Sequence, residues 1–456
     1  MPDSIQKNIS GNARAKTYKF EGGLRRRFNK SLRQSDLDIR ELLPRSLTAS
    51  SDKMATRQLV DSHVHLYELD HIHSLAWMTS ASPLQGQHSI AEYIKSTEPQ
   101  SSPSNASKQS PRQLLGFIFV EVDRINNPPS KLEGWRSPLQ EYSFVASISL
   151  GLIPKYVKYS ALLLGIIPWA PLPYGSLAMQ QYERELCALH SEPALNCSIR
   201  PYKVKGFRYL LQDLPRRTML GARFLESLRW MGRRGYVFEC TIDCREGQLW
   251  QLEEAIEMMG RVNRQVARDE DLVQVVISEK ACPLAMFRGA KRANQISTGH
   301  LTKPDFSIDP TSCAETHSYH KKYISLVDDL SRFPNVAIKF SGGFSQLPEH
   351  FQRLPAYPAP ASEEDIERWI DEVAHRLSPW TSRIYNCFGS KRVIWGSDWP
   401  VCNVVGGRNA FELWERVTER LLSDAGISEC DQEGFWWENA RRIYKTKTDE
   451  REPSRI

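Results

Sequence analysis

The sequence predicts an α/β fold, a closed (β/α)8 barrel, on three observations. Short apolar runs recur eight times, at Gln58–His65, Gly116–Val122, Leu162–Trp169, Val204–Arg208, Tyr236–Asp243, Val273–Ser278, Val336–Ser341 and Val393–Asp398. Buried parallel strands read as near-continuous apolar stretches of this kind. Between them stand helix-period patterns, at Phe224–Arg234, Gln248–Asp269, Tyr323–Arg332 and Glu363–Leu377, and strands alternating with helices indicate successive βαβ units. No Gly-x-Gly-x-x-Gly follows the first run, which sets the doubly wound open sheet behind the barrel.

Taken in order, residues 1–56 are polar, basic and without sustained periodicity, so they are read as a disordered leader. Met54, just ahead of the first strand, is read as the native start, with 1–53 an upstream extension. The first run ends in His63-Val64-His65. A strand turns alternate side chains to opposite faces, so both imidazoles project to one side. Ser96–Gln113, rich in Ser, Pro, Asn and Gln, is a loop, and so is Asn126–Trp135. The third run meets Pro168, Pro171 and Pro173, which deny the uncharged stretch Tyr159–Leu177 a membrane-spanning helix. Leu354–Ala361, with Pro355, Pro358 and Pro360, joins the seventh unit to the next helix. The barrel domain is expected over 57–447, with a disordered tail at 448–456.

The 456 residues carry a formal net charge of +6. Residues 1–53 hold twelve Lys/Arg against six Asp/Glu, leaving 48 of each sign in the remainder. The body thus has no basic excess to recommend a nucleic-acid partner. Nine cysteines lie scattered without a paired Cys-x-x-Cys framework, as expected for reduced thiols in a cytoplasmic protein. There is no apolar signal segment at the N-terminus and no membrane span. The partner implied is a small molecule, with a homo-oligomer left open.

Barrel chemistry sits at the C-terminal ends of the strands. Those ends hold His63, His65, Glu121, Asp123, Trp169, Arg208, Asp243, Ser341 and Asp398. The sharpest after the histidines is Trp395-Gly396-Ser397-Asp398-Trp399-Pro400, where an apolar strand halts at a carboxylate suited to act as a general base for water. An isolated Asp there would read as a helix cap; the two opposed strand ends together favour a site. Arg208 offers a planar fork of donors to a substrate carboxylate or hydroxyl, or equally an interstrand ion pair. Trp77, Trp169 and Tyr209 are read as pocket walls, or as ordinary core. His71 and His73 repeat the His-x-His spacing but fall in a loop.

Asp61-Ser62-His63-Val64-His65 and Trp395-Gly396-Ser397-Asp398-Trp399-Pro400-Val401 resemble the first- and eighth-strand signatures of the amidohydrolase superfamily, in its amidohydrolase-2 group of sugar-lactone and pyrone-dicarboxylate lactonases. The resemblance runs through Phe119–Arg124, Ile167–Pro171, Val204–Leu210, Leu228–Met231 and Lys339–Gly342, over roughly residues 56–445. It implies a hydrolase in which Asp398 deprotonates water while His63, His65 and His300 polarise a lactone carbonyl, with an aldonolactone such as a deoxy-sugar lactone as substrate. The family's sixth strand runs straight into a histidine followed by Leu-x-Lys-Pro. Here residues 279–299 intervene before His300-Leu301-Thr302-Lys303-Pro304, read as a retained intron or an inserted loop.

Zinc-dependent relatives also end strand five in a histidine, where this chain has Cys240-Thr241-Ile242-Asp243. The resemblance therefore implies no required cofactor, with zinc on His63, His65 and Asp398 as the alternative. A zinc-dependent decarboxylase, or a non-catalytic product disrupted by the insert, are the competing functions.

Overall fold

The first strand, β1 (Arg57–Val64), pairs in parallel with β2 (Arg112–Val120), and β2 with β3 (Leu163–Ile167). A second parallel run joins β4 (Gly206–Leu210), β5 (Val237–Thr241), β6 (Gln274–Ser278), β7 (Val336–Phe340) and β8 (Val393–Trp395) in sequence order. In this computed structural model the described residues are 56–98, 112–189, 200–245, 247–266, 268–278, 304–310, 317–343, 347 and 362–446. The leader, the segment 279–299 with His300, and the tail from 448 lie outside them.

Parallel bridges close both seams between the two strand groups. Ile166 pairs with Val204 and Trp169 with Arg208 across β3 and β4, and Val64 pairs with Trp399 across β1 and β8. The strands thus form the predicted barrel. Each is followed by a helix: α1 (Ile90–Thr97), α2 (Arg136–Ser149), α3 (Ser176–Leu189), α4 (Ala222–Arg233), α5 (Trp250–Asn263), α6 (Ser318–Ser331), α7 (Glu363–Phe388) and α8 (Ala410–Asp424).

Local chemistry accounts for the helix ends. Ser89 caps α1 and Ser362 caps α7, each in a reciprocal box with the acid three residues on, Glu92 and Asp365, which satisfies otherwise orphaned backbone donors. In α4, Phe224, Leu225, Leu228 and Met231 are buried at helical spacing, the stripe by which a helix packs on a sheet.

Two helices depart from expectation. The α5 helix stops at Asn263 rather than Asp269, because Asp269–Asp271 form a separate 3-10 turn. The α7 helix passes its expected end at Leu377 and continues through Pro379 to Phe388. A proline leaves the carbonyl four residues back without its helical donor. Here that carbonyl, on His375, accepts the Ser378 hydroxyl at 3.1 Å, while Trp380 and Ile384 gain burial.

Side chains alternate between two cores. Phe117, Phe119, Ile166, Phe207, Phe238, Ile338 and Trp395 face the helices; burying each such side chain contributes about 1.5–3 kcal/mol. Val60, Ile118, Ile167, Val237, Val276, Ala337 and Ile394 fill the barrel interior, closed below by Ala440, Ile443 and Tyr444. Strand β4 contributes Gly206, where a Cβ would lie 2.1 Å from the Val237 carbonyl oxygen. Above this layer the buried Lys339 ammonium donates to Glu239 at 2.9 Å and to the Ser62 carbonyl at 2.8 Å. The polar floor so formed underlies the open end of the strands.

Candidate active site

Strands β1 and β8 meet at their C-terminal ends, and backbone bonds lock the meeting. Asp398 N–H donates to the His63 carbonyl at 3.0 Å and His65 N–H to the Trp399 carbonyl at 2.8 Å. Gly396 permits the approach, since a Cβ there would sit 2.9 Å from His63 Cβ. Asp398 itself is left-handed, φ 61°, a conformation that costs on the order of 1–3 kcal/mol outside glycine and is concentrated at functional sites.

Beneath this junction Asp61 acts as a tie. Its carboxylate accepts from His63 N–H at 3.1 Å, Ser397 N–H at 2.9 Å, the Ser397 hydroxyl at 2.5 Å and the Tyr93 hydroxyl at 3.0 Å. Burial pushes Asp61 up to about 6 despite those four bonds. The Asp-Ser-His and Gly-Ser-Asp segments of the two motifs are therefore the two halves of one hydrogen-bonded joint.

The joint brings three donors together. His63 Nε2 lies 3.1 Å from His65 Nε2, and Asp398 Oδ1 lies 3.6 Å from the first and 3.5 Å from the second. A carbonyl oxygen only accepts, so the 2.8 Å contact of His65 Nδ1 with the Val120 carbonyl places the proton on Nδ1 and leaves Nε2 a lone pair. Burial lowers the His65 pKa, with Asp398 pulling the other way, so the neutral ring predominates. Burial likewise pushes Asp398 up to about 6, opposed by His65, Arg208 and Lys339.

These separations suit a cation. Zinc bonds of about 2.0–2.2 Å arranged tetrahedrally put neighbouring ligands about 3.3–3.6 Å apart. The three edges are 3.1, 3.5 and 3.6 Å, two of them within that range and one just below it. Among the described residues this is the one such cluster of three ligands. The fixed Nδ1–H of His65 is also the outer hydrogen bond a ligating imidazole commonly makes.

Arg208 stands beside the cluster and is 1 % exposed. Its Nε donates to Glu121 Oε1 at 2.5 Å and Nη2 to the Glu121 carbonyl at 2.7 Å. Both readings of this arginine meet here: it is ion-paired across strands, and it lines a small cavity with His65, Tyr67, Trp77, Leu84, Val122, Pro400 and Val401. Trp77 is held by a 2.7 Å bond from Nε1 to the Val122 carbonyl. Trp169 and Tyr209 do not line this cavity. Their rings pack on each other and on Tyr182 and Phe224 of the helix layer, since Arg208 faces inward and its neighbour Tyr209 must face out. His71 falls in a 3-10 turn with its ring against Phe144. Lys205 points below the barrel, to the Lys445 carbonyl at 3.1 Å. His300 lies outside the described residues.

Comparison with known proteins agrees with this architecture. A family model described as Amidohydrolase matches residues 300–446. An L-rhamnono-gamma-lactonase from Scheffersomyces stipitis is 28% identical over 396 residues, 86% of this chain and 99% of that protein. An L-fucono-1,5-lactonase from Burkholderia multivorans is 23% identical over 252 residues, 54% of this chain and 64% of that one. The zinc-bound crystal structure of an amidohydrolase from Burkholderia multivorans superposes with a TM-score of 0.52 at 17% identity, covering 86% of this chain and 99% of that one.

Proposed function

Since this chain belongs to the amidohydrolase superfamily and is a hydrolase, we propose that its reaction is the opening of a lactone ring by water. The observation that carries the reading is the convergence of His63, His65 and Asp398 within 3.1–3.6 Å at the ends of β1 and β8. The near full-length similarity to a lactonase supports the substrate class.

Asp398 takes a proton from water as the water oxygen attacks the lactone carbonyl. Its position is fixed by the backbone bond to His63, and its pKa of about 6 leaves it ionised at neutral pH yet a stronger base than an ordinary carboxylate. The ring-oxygen bond then breaks, and the proton held on Asp398 passes to the departing alkoxide, giving a hydroxy acid. With the His65 proton on Nδ1 and its Nε2 lone pair facing His63 Nε2, the two rings border the carbonyl, and opposing the charge that develops on its oxygen falls to Arg208. The Arg208 guanidinium, held rigid by Glu121, supplies a fixed positive charge beside them.

His63, His65 and Asp398 would also hold a divalent metal such as zinc, which when bound lowers the pKa of water and polarises a carbonyl. The cavity against His65 and Arg208 is walled mainly by Trp77, Leu84, Val122, Pro400 and Val401. The similarity to an L-rhamnono-gamma-lactonase supports an aldonolactone such as a deoxy-sugar lactone as the substrate.

A lactone panel followed by acid release, with and without chelator, tests the proposal. Release of acid from sugar lactones is expected. No turnover of any lactone, or release of carbon dioxide from an aromatic acid instead, would overturn it.

A further inference from the structure

Gln212 lies two residues past the end of β4, the strand that carries Arg208. Phe207 and Leu211 pack in the core between strands and helices, and Tyr209 packs against it. Gln212 stands in the turn that leaves the C-terminal end of β4, the end of the barrel at which His63, His65 and Asp398 converge.

Its backbone is pinned. The Gln212 carbonyl accepts Gln251 Nε2 at 3.0 Å, while Gln251 Oε1 accepts Asp243 N–H at 2.8 Å, tying the turn to the end of β5. Leu211 N–H is held by the Thr241 hydroxyl at 3.0 Å.

The side chain is treated differently. Gln212 is 4 % exposed, yet neither its amide oxygen nor its amide nitrogen has a hydrogen-bond partner among the described residues. Buried side-chain amides are nearly always satisfied, and each exception calls for an explanation. A group with a donor and an acceptor both unused matches the hydroxyl groups of a sugar lactone, each of which donates and accepts.

We propose that the Gln212 amide is a substrate-binding group that reads the hydroxyls of the lactone. The proposal rests on the lactonase reading above and adds to it the residue that recognises a polyol.

The test uses the full chain, L-rhamnono-gamma-lactone as probe, and the nearly isosteric Gln212→Met beside Gln212→Glu, with thermal unfolding measured in parallel. For Gln212→Met the expected result is a KM roughly 10- to 100-fold higher with kcat within about threefold, the pattern of lost ground-state binding. Its Tm should equal or exceed that of the wild type, because an unsatisfied polar group has been removed. Gln212→Glu, which keeps the acceptor, should recover part of the loss. An unchanged KM would overturn the proposal. So would a fall in Tm with kcat, which marks a structural role. Failure of the wild-type chain to open any lactone is seen before any substitution is compared, and it removes the lactonase reading together with this one.

Discussion

Replacing Asp398 by Asn separates what the site needs from what the fold prefers. The substitution keeps size and shape and removes the charge and the proton-accepting capacity. Loss of a positioned general base lowers kcat by about 10²–10⁴-fold. Stability moves the other way. Burial raises this carboxyl from 3.8 to about 6, roughly two pKa units, equivalent to about 3 kcal/mol of preference for the neutral form. A carboxyl whose folded pKa exceeds its unfolded value costs stability once ionised. The cost is absent below about pH 4 and complete above about pH 6. In the presence of chelator, Asp398→Asn should therefore raise the unfolding free energy at pH 8, by up to about 3 kcal/mol, and leave it nearly unchanged at pH 4. Lactone hydrolysis followed by pH-stat, with urea unfolding at the two pH values, measures both halves. Turnover within tenfold of wild type would refute the role as base, and destabilisation at pH 8 would refute the electrostatic reasoning.

Three further outcomes follow from the same geometry. Glu121→Ala leaves the buried Arg208 charge without its carboxylate and should destabilise by about 3–5 kcal/mol; a loss under 1 kcal/mol in urea unfolding would contradict the pairing. Glu141, buried on α2 where it accepts from Val122 N–H at 3.1 Å and faces Arg124 Nε at 3.4 Å, is pushed up to about 8 by burial, so its ionisation should erode stability as pH rises from about 5 through 8, and Glu141→Gln should flatten that slope in a pH series of unfolding curves. Metal analysis should find less zinc bound to His65→Ala than to wild type after both are loaded and dialysed, equal contents arguing against the three-ligand cluster.

Much of this was legible in the residues because barrel strands are buried on both faces and read as apolar runs. The site was legible for the same geometric reason. His63 and His65 share a face by period two, and a carboxylate that halts an apolar strand marks a strand end. The same period could have placed Tyr209: with Arg208 on the axis, its neighbour belongs to the helix layer. Other features depend on contacts that no local pattern encodes. Arg208 takes its partner from β2, 87 residues away, so its ion pair and its place in the cavity could not be told apart beforehand. The passage of α7 through Pro379 depends on a serine hydroxyl that reads locally as a helix breaker. Gln212 belongs to no motif, and its interest arises only from a buried side-chain amide with no hydrogen-bond partner among the described residues.

The joint between Asp61 and Ser397 spans 336 residues of chain. Contacts so far apart in sequence cost loop-closure entropy before they return any stabilisation, so the geometry of the candidate site rests on a strongly non-local pairing. Both histidines lie at the end of the first strand and Asp398 follows the eighth, so the three groups cannot assemble before the eighth strand is made. Truncation ahead of Asp398 leaves no partial enzyme, and recovery of activity after unfolding reports that the two ends of the barrel have found each other.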